Sequence, residues 1–163
     1  MKTQAEIIEN IKKELEENQI KISSIDDNRP WGGFFVIQEI STQKFLDVFF
    51  KDQDLKISSS AVSPKILFVA PQKKLSWQYH YRRSELWKLV DGEAAVSRST
   101  NDIESEPLNM QLGSVIRLAQ GERHRLIGLN NWGVVAEVWV HSDPLMPSDE
   151  NDIIRLQDDF GRN

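Results

Sequence analysis

The sequence predicts an all-β fold, an antiparallel sandwich or barrel behind a single N-terminal α-helix. Three observations carry this. After Pro30 the chain becomes a series of short runs rich in Val, Ile, Phe and Trp, namely GFFVIQEI, KFLDVFF, KILFV, ELWKLV, AAVSR, SVIRL and GVVAEVWV. Turn-prone stretches such as SSSAVSP, VDGE and LAQGE separate them. No helical pattern intervenes between the runs, which argues against βαβ units and for antiparallel pairing. At 163 residues the chain fits one domain with a core of its own. The change of texture divides it into an N-terminal helix and extension over 1–28 and a β domain over 29–163.

Composition narrows the chemistry. Apolar residues at 39% and charged residues at 28% describe a globular rather than a disordered chain. With no cysteine, disulfides, thiolate nucleophiles and thiolate zinc sites are excluded. The N-terminal stretch has no apolar h-region and no run of about 18 apolar residues occurs, so the expectation is a soluble, cytoplasmic protein with no membrane partner. A net charge of −5 argues against a nucleic-acid partner but leaves room for a small anion held by a local arginine cluster.

Taken in order, residues 3 to 20 read as an amphipathic helix. Thr3 and Glu6 have the spacing of a capping box, and Ile7, Ile8, Ile11 and Leu15 form one apolar stripe. That stripe packs on the β domain or on a second subunit. The stretch LSWQYHYRRSELW (75–87) carries the first candidate site residues. On a strand, Gln78 and His80 share one face and Trp77, Tyr79 and Tyr81 the other. With a turn over Tyr81–Ser84, Glu85 returns beside His80 and shares its face with Trp87 and Leu89. A carboxylate on such an apolar face needs a partner, because an unpaired buried charge is costly. Downstream, GSVIRLAQGERHRL places His124 at the start of another strand after a Gly-containing turn. His141, in WVHSDP, reads as a strand-end or surface residue. The tail SDENDIIRLQDDFGR (148–162) is acidic, yet Ile153, Ile154, Leu156 and Phe160 are too apolar to be left in water, so it is expected to dock on the β domain.

These two stretches resemble the two motifs of the cupin superfamily, G-x5-H-x-H-x3,4-E-x6-G and G-x5-P-x-G-x2-H-x3-N. His80, Glu85 and Gly92 match the first, and Gly113, Gly121 and His124 the second. Gln72, Gln78, Ala119 and Gly128 depart from them. Glutamine at 78 resembles the Gln-x-His ligand pattern of cupin-fold mannose-6-phosphate isomerases. RPWG (29–32), LSWQYHYRRSELW, GERHRL and DIIRLQDDFGR are similar to stretches of the isomerase domain of the type II branch, in its stand-alone form. The chain differs from that branch at Tyr81, Arg82 and Leu86, where relatives carry histidines.

The resemblance implies a single-domain jelly-roll cupin and a metal held by Gln78, His80, Glu85 and His124. Two imidazole nitrogens, two oxygens and no sulfur suit one divalent ion, Zn²⁺ first and Mn²⁺, Fe²⁺, Co²⁺ or Ni²⁺ as alternatives. It also implies an aldose–ketose isomerase taking mannose 6-phosphate to fructose 6-phosphate through an enediol. Arg155 and Glu85 are the candidate catalytic residues, and Arg83, Tyr81 and Trp77 the candidate substrate contacts, with the arginines for the phosphate. Other readings stay open: a non-catalytic cupin that binds a sugar or sugar phosphate, an isomerase of another sugar phosphate such as a heptose phosphate, and a metal oxygenase. A homodimer is expected, because cupins often pair and the N-terminal stripe offers an apolar face.

Overall fold

The computed structural model describes residues 1–53 and 61–162, so the turn expected over 58–64 lies partly outside the described residues. Helix α1 runs Gln4–Glu17. The Thr3 hydroxyl accepts the Glu6 N–H at 3.3 Å while the Glu6 carboxylate accepts the Thr3 N–H at 2.6 Å, the reciprocal capping box. Ile7, Ile11 and Leu15 are buried in one cluster with Phe35, Ile37, Phe68 and Val134 of the sheet. The stripe is therefore spent on this chain's own core and gives no spare face to a second subunit.

Strands β1 (Ile22–Arg29) and β2 (Gly32–Ile37) form a hairpin, and β2 pairs with β3 (Val62–Val69). Between β2 and β3 the chain departs from the sequence expectation. After one 3-10 turn at Glu39–Ser41, the run KFLDVFF forms helix α2, Thr42–Phe49, not a strand. Phe45, Leu46, Phe49 and Phe50 are buried, the spacing of one helical face. Lys44 and Asp47 stand three apart on the exposed face, but two polar positions in a seven-residue run rich in Phe and Val do not separate a buried helix from a strand.

The rest of the sheet is built on two long strands, β5 (Arg83–Ser99) and β8 (Arg123–His141). They pair antiparallel from Arg83 opposite His141 to Ser99 opposite Arg123. The far edge of β8 takes β3 along one half and β4 (Trp77–Tyr79) at the other, where Gln78 sits opposite His124. The far edge of β5 takes β7 (Val115–Leu118) and β6 (Leu108–Asn109). Strand β9 (Ile154–Gln157) closes the order by pairing with β4. The sheet curls so that its residues alternate between two cores. Ile66, Phe68, Val134 and Ala136 face the helices, while Leu67, Val69, Val135 and Trp87 face the barrel interior. Strands covered on both faces read as unbroken apolar runs, as KILFV does.

The expected turn VDGE is also not a turn. Strand β5 continues through it with register shifts at Leu89/Asp91 and Gly92/Ala94, so ELWKLV and AAVSR are two halves of one bent strand. Bulges bend a strand without ending its ladder. Gly92 makes the bend: its φ is +71°, and a Cβ there would lie 1.9 Å from the Trp132 carbonyl oxygen. Gly92→Ala is expected to cost at least about 1–3 kcal/mol, the usual range for a side chain forced into the left-handed region. An unchanged urea-unfolding midpoint would show that the bend tolerates a side chain.

Candidate metal centre

The ladder carries the sequence-predicted ligands to one place. Gln78 lies opposite His124 across β4 and β8, His80 follows β4 directly, and Glu85 stands at the start of β5 after a two-residue turn. One ligand atom from each of His80, Glu85 and His124 falls within 4.8 Å of the others, and all three residues are buried. His80 Nε2 is 3.2 Å from Glu85 Oε1, and His124 Nε2 is 3.4 Å from Glu85 Oε2.

Both imidazoles are oriented from behind. His80 Nδ1 is 2.7 Å from the Asp152 carbonyl and His124 Nδ1 is 2.9 Å from that of Glu122. A carbonyl only accepts, so each Nδ1 carries a hydrogen, and it is Nε2 of each ring that faces the cluster, the atom with the lone pair in a neutral imidazole. Backbone carbonyls behind the ligating ring are the usual support of metal-bound histidines. Glu85 Oε2 and His124 Nε2 are buried with no hydrogen-bond partner among the described residues. Two lone pairs facing each other out of water call for a positive species between them, and a divalent cation fits. Gln78 Oε1 accepts from the Ser76 hydroxyl at 2.5 Å, and its amide nitrogen lies 3.4 Å from His80 Nε2. Serine can donate or accept, so a rotated amide keeps this contact while turning its oxygen to the cluster.

Electrostatics agree with a ligand set. Burial pushes His80 down to about 4, and Arg83 and His124 act in the same direction. Burial alone would push Glu85 up, but the Arg83 guanidinium and the two imidazoles outweigh it and hold the carboxyl well below the usual range. At neutral pH the cluster is thus a carboxylate with a neutral His80 beside it.

Arg83, expected as a phosphate contact, lines the cavity beside the cluster and is also tied into the cluster itself. Its Nε donates to Glu85 Oε1 at 2.8 Å, Nη1 to the Ser148 hydroxyl at 2.8 Å, and Nη2 to His80 Nε2 at 3.2 Å. The guanidinium also stacks 3.6 Å from the centre of the Trp139 ring. These contacts make it a support of the cluster from within the cavity wall. Trp77 and Tyr81 stand outside the cavity beside the cluster. The Trp77 indole donates to the Asp102 carbonyl at 2.8 Å, and Tyr81 is 59% exposed. His141 ends β8 as expected but is buried, holding Ser63 and the Ser148 N–H with its two ring nitrogens.

Gln78 and Glu85 form part of the cavity wall, with Trp31, Phe34, Trp87 and Trp139 as its aromatic surface. Arg29, Arg83, Arg155 and Arg162 also line it. The tail brings Arg155 there by docking as β9, which sets it opposite Gln78 in the ladder. Burial lowers the Arg155 guanidinium from its ordinary value, and the charges of Arg162 and Arg29 add to this. Sequence reading assigned no role to Arg29 or Arg162, although both stand in the quoted stretches RPWG and DFGR. It also missed Asp152, whose carboxylate takes the N–H groups of Tyr81 (2.9 Å) and Arg82 (3.0 Å) while its carbonyl orients His80. A fourth omission, Glu137, lines the cavity and accepts the Trp87 indole N–H at 2.8 Å. Its signal was an acid sharing strand parity with Val135 and Trp139 inside an apolar run.

The His80 shift gives a pH dependence. The unfolded histidine titrates near 6.5 and the folded one near 4, so the unfolded chain binds the proton first. Its contribution to the stability of metal-free protein is complete above about 6.5 and is lost as pH falls towards 4. His80→Gln should flatten urea midpoints across that window, and an equally steep decline in the variant would assign the effect elsewhere.

Among solved structures the fold is similar to vicilin from Solanum lycopersicum (tomato), with TM-score 0.55, 19% identity and coverage of 84% of this chain and 35% of that one. It is similar also to vicilin from Corylus avellana (hazelnut), with TM-score 0.56, 14% identity and coverage of 81% and 35%. Recombinant oxalate oxidase in complex with glycolate aligns at TM-score 0.49 and 14% identity, over 61% of this chain and 48% of that one. The chain thus spans less than half the length of each. No curated protein matches it in sequence. Among the described residues no helix is long and apolar enough to cross a membrane. The family model described as mannose-6-phosphate isomerase C-terminal matches residues 15–158, and with its cupin fold the chain belongs to that family.

Proposed function

We propose that this protein is a metal-dependent aldose–ketose isomerase of phosphorylated sugars, interconverting mannose 6-phosphate and fructose 6-phosphate. One observation carries the reading: the buried His80–Glu85–His124 cluster opens, through Glu85, on a cavity that Arg29, Arg83, Arg155 and Arg162 line. The family match supports the same reaction class. His80, Glu85, His124 and the Gln78 amide would hold the ion, with Zn²⁺ first among the candidates for this donor set. When bound, a divalent ion there supplies Lewis acidity to the carbonyl and hydroxyl oxygens of the sugar.

The remaining work falls to the protein's own groups. Arg155 takes the substrate's phosphate, which a guanidinium fork holds in a defined orientation, and Arg29 and Arg162, paired to Asp26 and Asp158, add positive charge beside it. The aromatic wall of Trp31, Trp87 and Trp139 packs on the sugar carbons and excludes water from the reacting end. A second reading, a sugar-phosphate-binding cupin without catalysis, is favoured by one contact. Arg83 reaches both Glu85 and His80, and so neutralises the cluster without an ion.

A coupled assay for fructose 6-phosphate, run with added Zn²⁺ or Mn²⁺ and extended to a panel of hexose and heptose phosphates, separates the two. Turnover of any member supports the isomerase, and binding without turnover supports the second reading. His80→Ala and His124→Ala are each expected to abolish retention of the ion after desalting, while Gln78→His keeps it. Equal metal content by elemental analysis in wild type and both alanine variants would rule these ligands out. Arg155→Ala is expected to keep the fold and metal content but weaken mannose 6-phosphate binding about ten- to a hundredfold, the worth of one charge-assisted hydrogen bond. Calorimetry that finds equal affinity would remove Arg155 from the site.

A further inference from the structure

An isomerase that works through an enediol needs a group to lift a hydrogen from one carbon and return it to the next. Three carboxylates line the cavity, Glu85, Glu137 and Glu150. Glu85 is bound into the cluster and to Arg83. Glu150 is ion-paired to Lys65 and largely exposed. Glu137 is 5% exposed, and its one hydrogen bond among the described residues comes from the Trp87 indole.

Its place in the sheet is defined on both sides. Glu137 lies opposite Trp87 of β5 and opposite Lys65 of β3, and the neighbouring pair on β5 and β8 is Glu85 with Trp139. Glu137 is therefore the diagonal neighbour of Glu85 on the same inner face, a separation of roughly 7–8 Å between backbones. That spacing leaves room for the two reacting carbons of a sugar between the cluster and the second carboxyl. We propose that Glu137 is the acid–base residue that carries hydrogen between the two carbons, held in aim by Trp87; this rests on the isomerase reading above. Glu137 takes the proton from C2, the C2–H electron pair becomes the C1–C2 double bond of the enediol, and the C1=O π pair moves to O1, which takes the proton that O2 gives up. The same carboxyl then delivers the proton to C1 as the carbonyl forms at C2. Overall one hydrogen moves from C2 to C1 and one from O2 to O1, with no oxidant or reductant required.

The surroundings keep this carboxyl able to do both. Burial pushes Glu137 up to about 8 and the Glu85 charge adds to the rise, while Lys65, Arg83 and the Trp87 N–H oppose it. A group balanced among these charges exchanges its proton near neutral pH, where an ordinary glutamate is only a weak base.

Glu137→Gln keeps the acceptor for Trp87 and removes the titrating oxygen. With mannose 6-phosphate in D2O followed by NMR, wild type is expected to exchange solvent deuterium into the sugar, and the variant to do so about 10²–10⁴-fold more slowly. Its metal content and calorimetric affinity should stay within a few-fold of wild type. Exchange at the wild-type rate would reduce Glu137 to a structural acceptor and overturn the proposal. If the variant does not fold, wild type decides the matter with a 1,2-epoxide analogue of the hexitol phosphate, whose ring is opened by an attacking carboxylate to form an ester. Peptide mass spectrometry should find the ester on Glu137, and an ester on Glu85 or Glu150 instead would overturn it. A wild type that binds sugar phosphates but turns none over, in the panel assay, ends the isomerase reading and this inference with it. A slow variant beside an active wild type leaves both standing.

Discussion

A carboxylate enclosed on all sides sets the terms for this molecule. Glu85 is 2% exposed and stays ionised, which isolated burial would not allow. Its compensation is local: Arg83 at 2.8 Å and two imidazoles. Arg83 in turn must be held, and it is, by Ser148 and the Asp149 carbonyl on one side and the Trp139 ring on the other. Removing one member of a buried pair typically costs about 3–5 kcal/mol, because the survivor is left uncompensated. So the segment after β8 is a structural requirement of a charge that enters the fold some sixty residues earlier.

The two long strands explain how such a site is reached by short-range geometry. Each of β5 and β8 serves both halves of the sheet, pairing with different partners on either side of the Gly92 bend. One half brings Glu85, Trp87, Glu137 and Trp139 to the inner face, and the other brings His124 beside Gln78. The functional groups thus belong to a continuous ladder, whose register fixes their relative positions.

Much of this was legible in the chain. Period-two spacing placed Gln78 and His80 together, and the apolar face of Glu85 demanded a partner, because both inferences need only local geometry. Helix α2 was missed although Lys44 and Asp47 stand three apart, because a seven-residue run rich in Phe and Val is too short for that spacing to outweigh its strand-like composition. The contacts of Arg83 with Glu85 and His80 were not legible, because sequence gives a charge without its direction. Asp152 acts on His80 through a backbone carbonyl, which any residue possesses, so its identity could not announce that role. Glu137 was visible as an acid among valines and tryptophan, but its neighbours Lys65 and Glu85 lie on other strands and are brought near only by the paired sheet.

The contact between His80 and Asp152 spans 72 residues of sequence. During synthesis, Gln78, His80, Glu85 and His124 all leave the ribosome before the segment that aims the first imidazole. A nascent chain can own every ligand and still lack the arrangement, with Glu85 carrying its charge in water until Ser148 and Asp149 arrive to seat Arg83. The arrangement of these side chains is thereby tied to arrival of the segment Ser148–Asp152, so the four residues alone do not make the site.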